Sequence, residues 1–572
     1  MASVTTTPRS GSSSPASYYT ANDSSVECST TASSPMQGLL CPYRDARQLG
    51  RELRDHCQIF LEEQLYTSAI HLLNSTLGSG ISRRLPPTKP ALIPPPSHLA
   101  VLNTLIVHPI HTTRAETREL QEVSALALDY LRNLLAVVGP VNAEFRAAFQ
   151  FHAPSSRWNR RSGYNSAGSD SDMSDGDSSH DRDGVKGRMA NQSSLWIRSQ
   201  DLWATVGWAF NTSSLYPHRW RYWKLWLEFM LDVLEMDWAE RERQDKAAYE
   251  SKDGDEEAGE EGLVAARTQS MIAMYMWQDT DGQMALKRII KALFADGGSL
   301  SSSSFPEVFE KEPRGPRKAS NKRKRDHVLD LENDKFGDYF DDESLSSGVS
   351  EPPTPQKPRT GRARQAFGPS QPGLVESVHL RMRLFKLLSA AAHALGKQGE
   401  LFRLYEDFTH GVKSLPLELF ALFVTQRENP LPAEVHVTII KQLFDCLLPH
   451  NYQDPRKVDA VADAHGYLTP SMLQHCYVCY PANTVALEDN AKLGLLVEDA
   501  IQLLWLSDTL EYSASLDAAC EKGIRAREAK AKKRRTGKGR STDSRDVVAE
   551  DVLAGSGERI RALMSGLRMT AA

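Results

Sequence analysis

The chain lacks several things, and each absence narrows what it can be. Its 572 residues contain no apolar run approaching the roughly 18 residues that span a bilayer, so no membrane segment is expected. The opening stretch MASVTTTPRSGSSSPASYYT has no apolar h-region, so no secretory signal is read there. Cysteine is sparse. Seven are scattered without a framework, which reads as reduced thiols of an intracellular protein. Charge of one sign is also lacking: the net value is −5, so no global basic field argues for nucleic-acid binding.

Recognisable chemistry is missing too. There is no GxxxxGK[ST], no GxGxxG after a strand, no HExxH and no GxSxG. Cys476-Tyr-Val-Cys479, with His475 beside it, is the one spacing that resembles a metal site. Zinc sites need four ligands, and Cys446 and His450 do not complete a known pattern, so packing is the expected role. His108, His111 and His393 sit on or beside apolar helices without a carboxylate at a telling distance. The expectation is a protein that is not an enzyme, with no catalytic residue, metal or cofactor. No fixed-length self-similarity supports a regular repeat array. No segment alternates convincingly, so strands are not expected.

What is abundant is helical periodicity and tryptophan. Eight of the ten tryptophans fall between Trp196 and Trp277. From Pro217, the residues Trp220, Trp223, Leu227, Leu231, Leu234 and Trp238 share one helical face. Tyr222, Trp226, Phe229 and Val233 widen it, while Arg221, Lys224, Glu228, Asp232 and Glu235 form a narrow polar stripe. A helix apolar over most of its circumference is buried in a larger assembly. Trp220, Trp223, Trp226 and Trp238 are therefore read as core, with an aromatic partner surface as the rival. The segment Leu195 to Phe210 reads as a preceding helix, with Asn211, Thr212, Ser213 and Ser214 as the turn.

Residues 1–40 form a Ser/Thr/Pro-rich tail expected to be disordered. An N-terminal helical block covers 41–152. In it, Thr113 and Glu116 read as a capping box, and Gly139-Pro140 stops the helix that follows. Residues 153–192 are an acidic, serine-rich linker, and 193–296 are the tryptophan-rich block. That block includes the acidic segment 235–261, read as either a helical extension or a loop. Residues 297–373 are a second disordered loop. Residues 374–510 are a C-terminal helical block, and 511–572 a basic, partly helical tail. The fold class is all-α: an irregular helical-repeat, solenoid-like or bundle architecture interrupted by long disordered loops.

Two compact basic runs sit in these exposed stretches. Arg317 and Lys318 precede Lys322, Arg323, Lys324 and Arg325; the second run is Lys532, Lys533, Arg534 and Arg535. Such runs fit an import receptor and point to the nucleus. Thr354, followed by Pro355 and Lys357, matches a proline-directed kinase site. Ser171 and Ser174 precede acids and suit acidophilic kinases, each phosphate adding about −1.5 to −2 charges. These features describe a nuclear scaffold or adaptor subunit of a multiprotein complex, regulated through phosphorylatable loops. Chromosome association, in genome maintenance or transcription, is the expected setting, and the partners are proteins. The alternative is an RNA-processing or ribosome-assembly factor. It would bind nucleic-acid phosphates non-specifically through 525–540, which holds nine basic residues and one acid.

Overall fold

The computed structural model describes residues 43–79, 89–151, 184–250, 264–277, 282–312, 372–396, 399–425, 429–533 and 544–570. Tyr43–Ala572 form one compact unit; Met1–Pro42 lie outside the described residues. The all-α expectation holds. Two three-residue strands, β1 (Ala46–Gln48) and β2 (Ala91–Ile93), pair in parallel with Ala46 opposite Ala91. Everything else regular is helical. Among the described residues no helix is long and apolar enough to cross a membrane.

Around the strands lie α1 (Arg51–Glu62), α2 (Tyr66–Gly78), α3 (Pro96–Val107), α4 (Arg118–Val138) and the short α5 (Phe145–Ala148). Gly139 ends α4 as its composition predicts. Its φ of 80° favours glycine, and a Cβ there would lie 2.5 Å from the Tyr43 ring. The helix begins elsewhere than predicted. Thr117, not Thr113, is its N-cap and accepts from the Leu120 amide. The Thr113 hydroxyl is instead taken by Arg219.

The tryptophan block contains α6 (Leu195–Arg198), α7 (Leu202–Leu215) and α8 (Pro217–Glu250). All six residues of the predicted face of α8 are buried. Its polar stripe joins neighbouring helices. Glu228 pairs with Arg132 of α4, and Asp232 and Glu235 pair with Arg383 at 2.8 and 2.6 Å. The acidic stretch continues as helix through Glu250. Asp237 accepts from the Met271 amide, and Asp245 accepts from the Ala266 amide and pairs with Arg267. The two short helices these acids cap are α9 (Ala265–Thr268) and α10 (Met271–Met276). The helical pattern of the block continues in α11 (Gly282–Leu293).

Three boundaries differ from the sequence reading, each because a distant segment supplies a partner. Asn211, Thr212, Ser213 and Ser214 are buried inside α7 rather than forming a turn. The Asn211 amide group bonds to Ser301, Phe305 and Gly297, which satisfies a side chain that would otherwise favour a turn. Correspondingly, residues 297–312 are part of the body. The serine-rich α12 (Ser299–Ser304) leads into Phe305, whose ring packs where Gly207 leaves room on α7. Residues 184–192 likewise pack on the body: Val185 and Met189 are buried and the Lys186 amide donates to Glu62.

The C-terminal half begins with α13 (Pro372–Leu395), α14 (Glu400–Ser414), α15 (Leu417–Val424) and α16 (Ala433–Leu447). Pro416 and Pro432 stand at the N-caps of α15 and α16. The short α17 (Pro455–Val458), α18 (Ala460–Ala464) and α19 (Pro470–Met472) follow. The half closes with α20 (Leu487–Leu506), α21 (Ala514–Lys533) and α22 (Ser544–Thr570). The stretch read as a basic, partly helical tail is helical over Ala514–Lys533 and Ser544–Thr570. α22 packs along α20, with Leu553, Ile560, Met564 and Leu567 buried.

Candidate functional site

The site is built where α3 ends, α8 begins and the segment 305–312 crosses them. Arg219, in the first turn of α8, is 1% exposed. Its Nη2 donates to the Val107 carbonyl at 2.8 Å, and Nη1 donates to the Thr112 and Thr113 hydroxyls at 2.7 and 2.9 Å. Its Nε donates to Glu312 at 2.6 Å, and Nη2 completes the ion pair. Glu312 is fully buried and also accepts from Trp208 Nε1 at 3.0 Å and from Trp223 Nε1. Burial pushes the Glu312 carboxyl up; the Arg219 charge and the indole donors oppose that. The guanidinium, the carboxylate and the two indole N–H groups thus form one satisfied polar node inside an apolar core.

The tryptophans singled out in sequence are all buried: Trp220 at 4%, Trp223 and Trp226 at 0%, and Trp238 at 8% exposure. Their N–H groups are placed as well as their rings. Trp226 donates to Asn103 at 2.8 Å and Trp220 to Glu376 at 3.2 Å, so these residues lock α8 to α3 and α13. The Arg267 guanidinium stands over the Trp238 ring at 5.9 Å.

Beside the node lies a cavity of about 190 Å³. Its walls are the turn 108–114, the turn 188–198 and residues 309–311. Arg114, Arg188, Arg198 and Lys311 face it together with a single carboxylate, Glu310. Arg198 is held by the Gln192 carbonyl at 2.7 Å and pairs with Glu310 at 3.2 Å. Arg188 Nε donates to the buried Ser193 hydroxyl at 3.1 Å. Among the described residues no carboxylate lies within ion-pair distance of Arg114, Arg188 or Lys311. His108 forms part of the floor, its ring edge-on to Phe309 at 4.9 Å. Burial, and then the charges of His111, Arg188, Arg219 and Arg198, lower its pKa to about 3. The imidazole is neutral, with Nδ1 accepting from the Ile110 amide.

The remaining predicted residues fall elsewhere. Lys532 is exposed on α21, and Lys533 ends that helix. Nearby basic residues are turned inward. Arg527 is 1% exposed and donates to the Val478 carbonyl at 3.1 Å, while Lys530 donates to the carbonyls of Ala482 and Asn483. Arg534 and Arg535 lie outside the described residues. So do Arg317, Lys318, Lys322, Arg323, Lys324, Arg325, Thr354, Ser171 and Ser174. Cys476 is buried on a π-helical turn, and burial pushes its thiol up to about 12, the protonated and unreactive form. Among the described residues no group of three or more His, Cys, Asp or Glu side chains is placed to hold a metal ion.

Sequence reasoning finds the helix that carries Arg219 but not the node or the cleft. Glu312 and Lys311 sit in a stretch with no apolar period. Arg114, Arg188 and Arg198 are single arginines with no local pattern. A signal is present for Arg219 alone: it is a charged residue on the helix's broad apolar arc, between Pro217 and Trp220. No protein-family model matches the chain, and a search of the curated proteins finds no match.

Proposed function

We propose that the chain is a non-enzymatic scaffold or adaptor subunit of a nuclear, chromosome-associated multiprotein complex, in which a helical body displays regulated segments to protein partners. One observation carries the reading. Residues 313–371, which hold Lys322–Arg325 and Thr354 and lie outside the described residues, follow Glu312 and precede Pro372. Both junctions are fixed on the same end of α8. Glu312 is bound by Arg219 and Trp223, and Gly373 packs so tightly that a Cβ would lie 2.5 Å from the Ser213 carbonyl oxygen and 2.9 Å from Trp220. A segment clamped at both ends on one rigid helix can be read by an import receptor or a kinase without loosening the core.

The rival reading, a nucleic-acid-binding factor acting through 525–540, has less to draw on, because Arg527 and Lys530 are already engaged within the body. The test is localisation and partner capture with the full chain. Replacing Lys322–Arg325 and Lys532–Arg535 together by alanine should leave a tagged protein in the cytoplasm. A stoichiometric partner set should survive nuclease treatment of the native extract. An unchanged nuclear signal would overturn the import assignment. Partners that vanish with nuclease would overturn the scaffold in favour of the rival.

A further inference from the structure

We infer that the basic cleft beside the Arg219–Glu312 node is a binding site for a phosphoryl group, held by Arg114, Arg188 and Lys311 with the Ser193 hydroxyl behind them. The inference goes beyond the scaffold reading and does not depend on it.

The argument starts from charge. Four cations meet one carboxylate in the cleft, and that carboxylate is occupied by Arg198. Exposed cations usually cost nothing, but three of these converge on one concave space, where the field of each adds to the others. An oxyanion supplies the ionic partner that the described residues do not provide. Guanidinium groups match it well, since each offers two parallel N–H donors to two oxygens.

Size narrows the ligand. About 190 Å³ exceeds the roughly 150 Å³ that admits a benzene-sized molecule. It falls below the ~300 Å³ where pockets for drug-sized molecules begin. A tetrahedral phosphoryl group fits, and the rest of its carrier must extend outward.

Preorganisation supports the same conclusion. Arg188 is oriented by Ser193, and Arg198 by the Gln192 carbonyl. Lys311 takes φ of 59°, a left-handed conformation a lysine rarely adopts. Its amide donates to Glu307 at 2.7 Å, and the neighbouring Glu312 is anchored in the core. Strain of this kind persists where surroundings impose it and is concentrated at ligand sites. The electrostatics agree: the arginines around His108 help to hold its imidazole neutral.

The phosphoryl group has two sources, free phosphate or phosphoserine. The chain's own Ser171 and Ser174 precede Gly184, where the described chain resumes four residues before Arg188. The experiment uses the full unphosphorylated chain, titrated by calorimetry with inorganic phosphate, with pyrophosphate, and with a peptide of residues 167–180 phosphorylated at Ser171 and Ser174. Saturable binding of at least one of these at low salt is expected. Arg114→Gln and Arg188→Gln should each weaken it about ten- to hundredfold, the range for loss of a charge-assisted hydrogen bond. Lys311→Gly should weaken it too while relieving the backbone strain, so folding is preserved. Glu310→Gln, which frees Arg198, should tighten it several-fold. Binding of inorganic phosphate or pyrophosphate names free phosphate as the source, and binding of the peptide alone names phosphoserine. Absence of binding by all three, or affinities unmoved by the arginine variants, would overturn the site.

Discussion

Removing the Glu312 carboxylate should destabilise the protein more than any surface change. In Glu312→Ala the Arg219 guanidinium keeps Val107, Thr112 and Thr113 as partners but loses the one counter-charge it has among the described residues, in a place 1% exposed. Leaving a buried charge uncompensated costs roughly 3–5 kcal/mol. Trp208 and Trp223 lose their acceptor as well, and a buried unsatisfied donor costs roughly 1–3 kcal/mol. These effects share one site and do not add fully. Water entering the vacated volume offsets part of them, so about 4 kcal/mol is the working value. Glu312→Gln, which retains an acceptor for the indoles, should lose about half as much. The decisive variant is Arg219→Met with Glu312→Leu. Replacing both partners of a buried pair by apolar groups is often neutral or stabilising, so the double variant should recover most of the loss. The assay is urea unfolding followed by tryptophan fluorescence, to which Trp208 and Trp223 contribute among the chain's ten tryptophans, with limited proteolysis of residues 305–312 as the local readout. A loss below about 1 kcal/mol in Glu312→Ala, or a double variant worse than both single ones, would refute the node as an electrostatic clamp.

Two further outcomes follow from the same region. His108 and His111 have pKa values lowered to about 3 and about 4 by burial, against an ordinary value near 6.5. Below pH 6.5 the unfolded chain binds protons that the folded chain does not, so their contribution is fully present above that pH and is lost as pH falls toward 4. The loss is about 2 kcal/mol per histidine at pH 5, and the pH slope of the urea midpoint should be shallower in His108→Asn, which keeps an acceptor for the Ile110 amide. Gly207→Ala would place a Cβ 2.3 Å from the Phe305 ring, forcing the segment 305–312 off α7. A destabilisation of about 1–3 kcal/mol with faster cleavage of that segment is expected, and a neutral effect would show the contact to be loose.

The parts of the fold that read well from sequence are those whose partners are close or whose period is strong. The face of α8 from Trp220 to Trp238 is apolar at i, i+3, i+7 and onward, and burial decides its conformation whatever it packs against. Pro416 and Pro432 open helices because the N-cap has extended backbone that suits a proline's fixed φ, and a backbone N–H there would have no intrahelical acceptor to lose. The parts that read poorly depend on distant residues. Asn211 to Ser214 has turn composition, yet the partners that make it helical are at 297–305, far along the chain. The helix α22 is a different case. Ala549, Leu553, Ser556, Ile560, Met564 and Leu567 fall on one helical face, so its pattern is present in the sequence. The nearby charge run dominates composition and obscures it. The site is the least legible part. A cleft made of four separated basic residues has no local signature, because what makes it a site is convergence in space.

The position of Glu312 explains how so long an insertion is tolerated. Closing a flexible loop costs free energy that grows only slowly with its length, each doubling adding about 0.6 kcal/mol, so length is not the difficulty. The difficulty is how the flanking residues, Glu312 and Pro372, are held. A segment leaving a helical body through a weak contact would fray backward, carrying Phe305, Phe309 and the cover of Trp223 with it. A carboxylate bound by one guanidinium and two indoles makes that boundary sharp, because pulling Glu312 out strands a buried charge. On the return side Gly373 seats against Ser213 and Trp220, so both junctions report to α8. A change at Lys311, whose neighbour Glu312 is bound by Arg219, acts on that anchor directly. The clamp therefore keeps the wall of the basic cleft, residues 309–311, rigid beside Glu312.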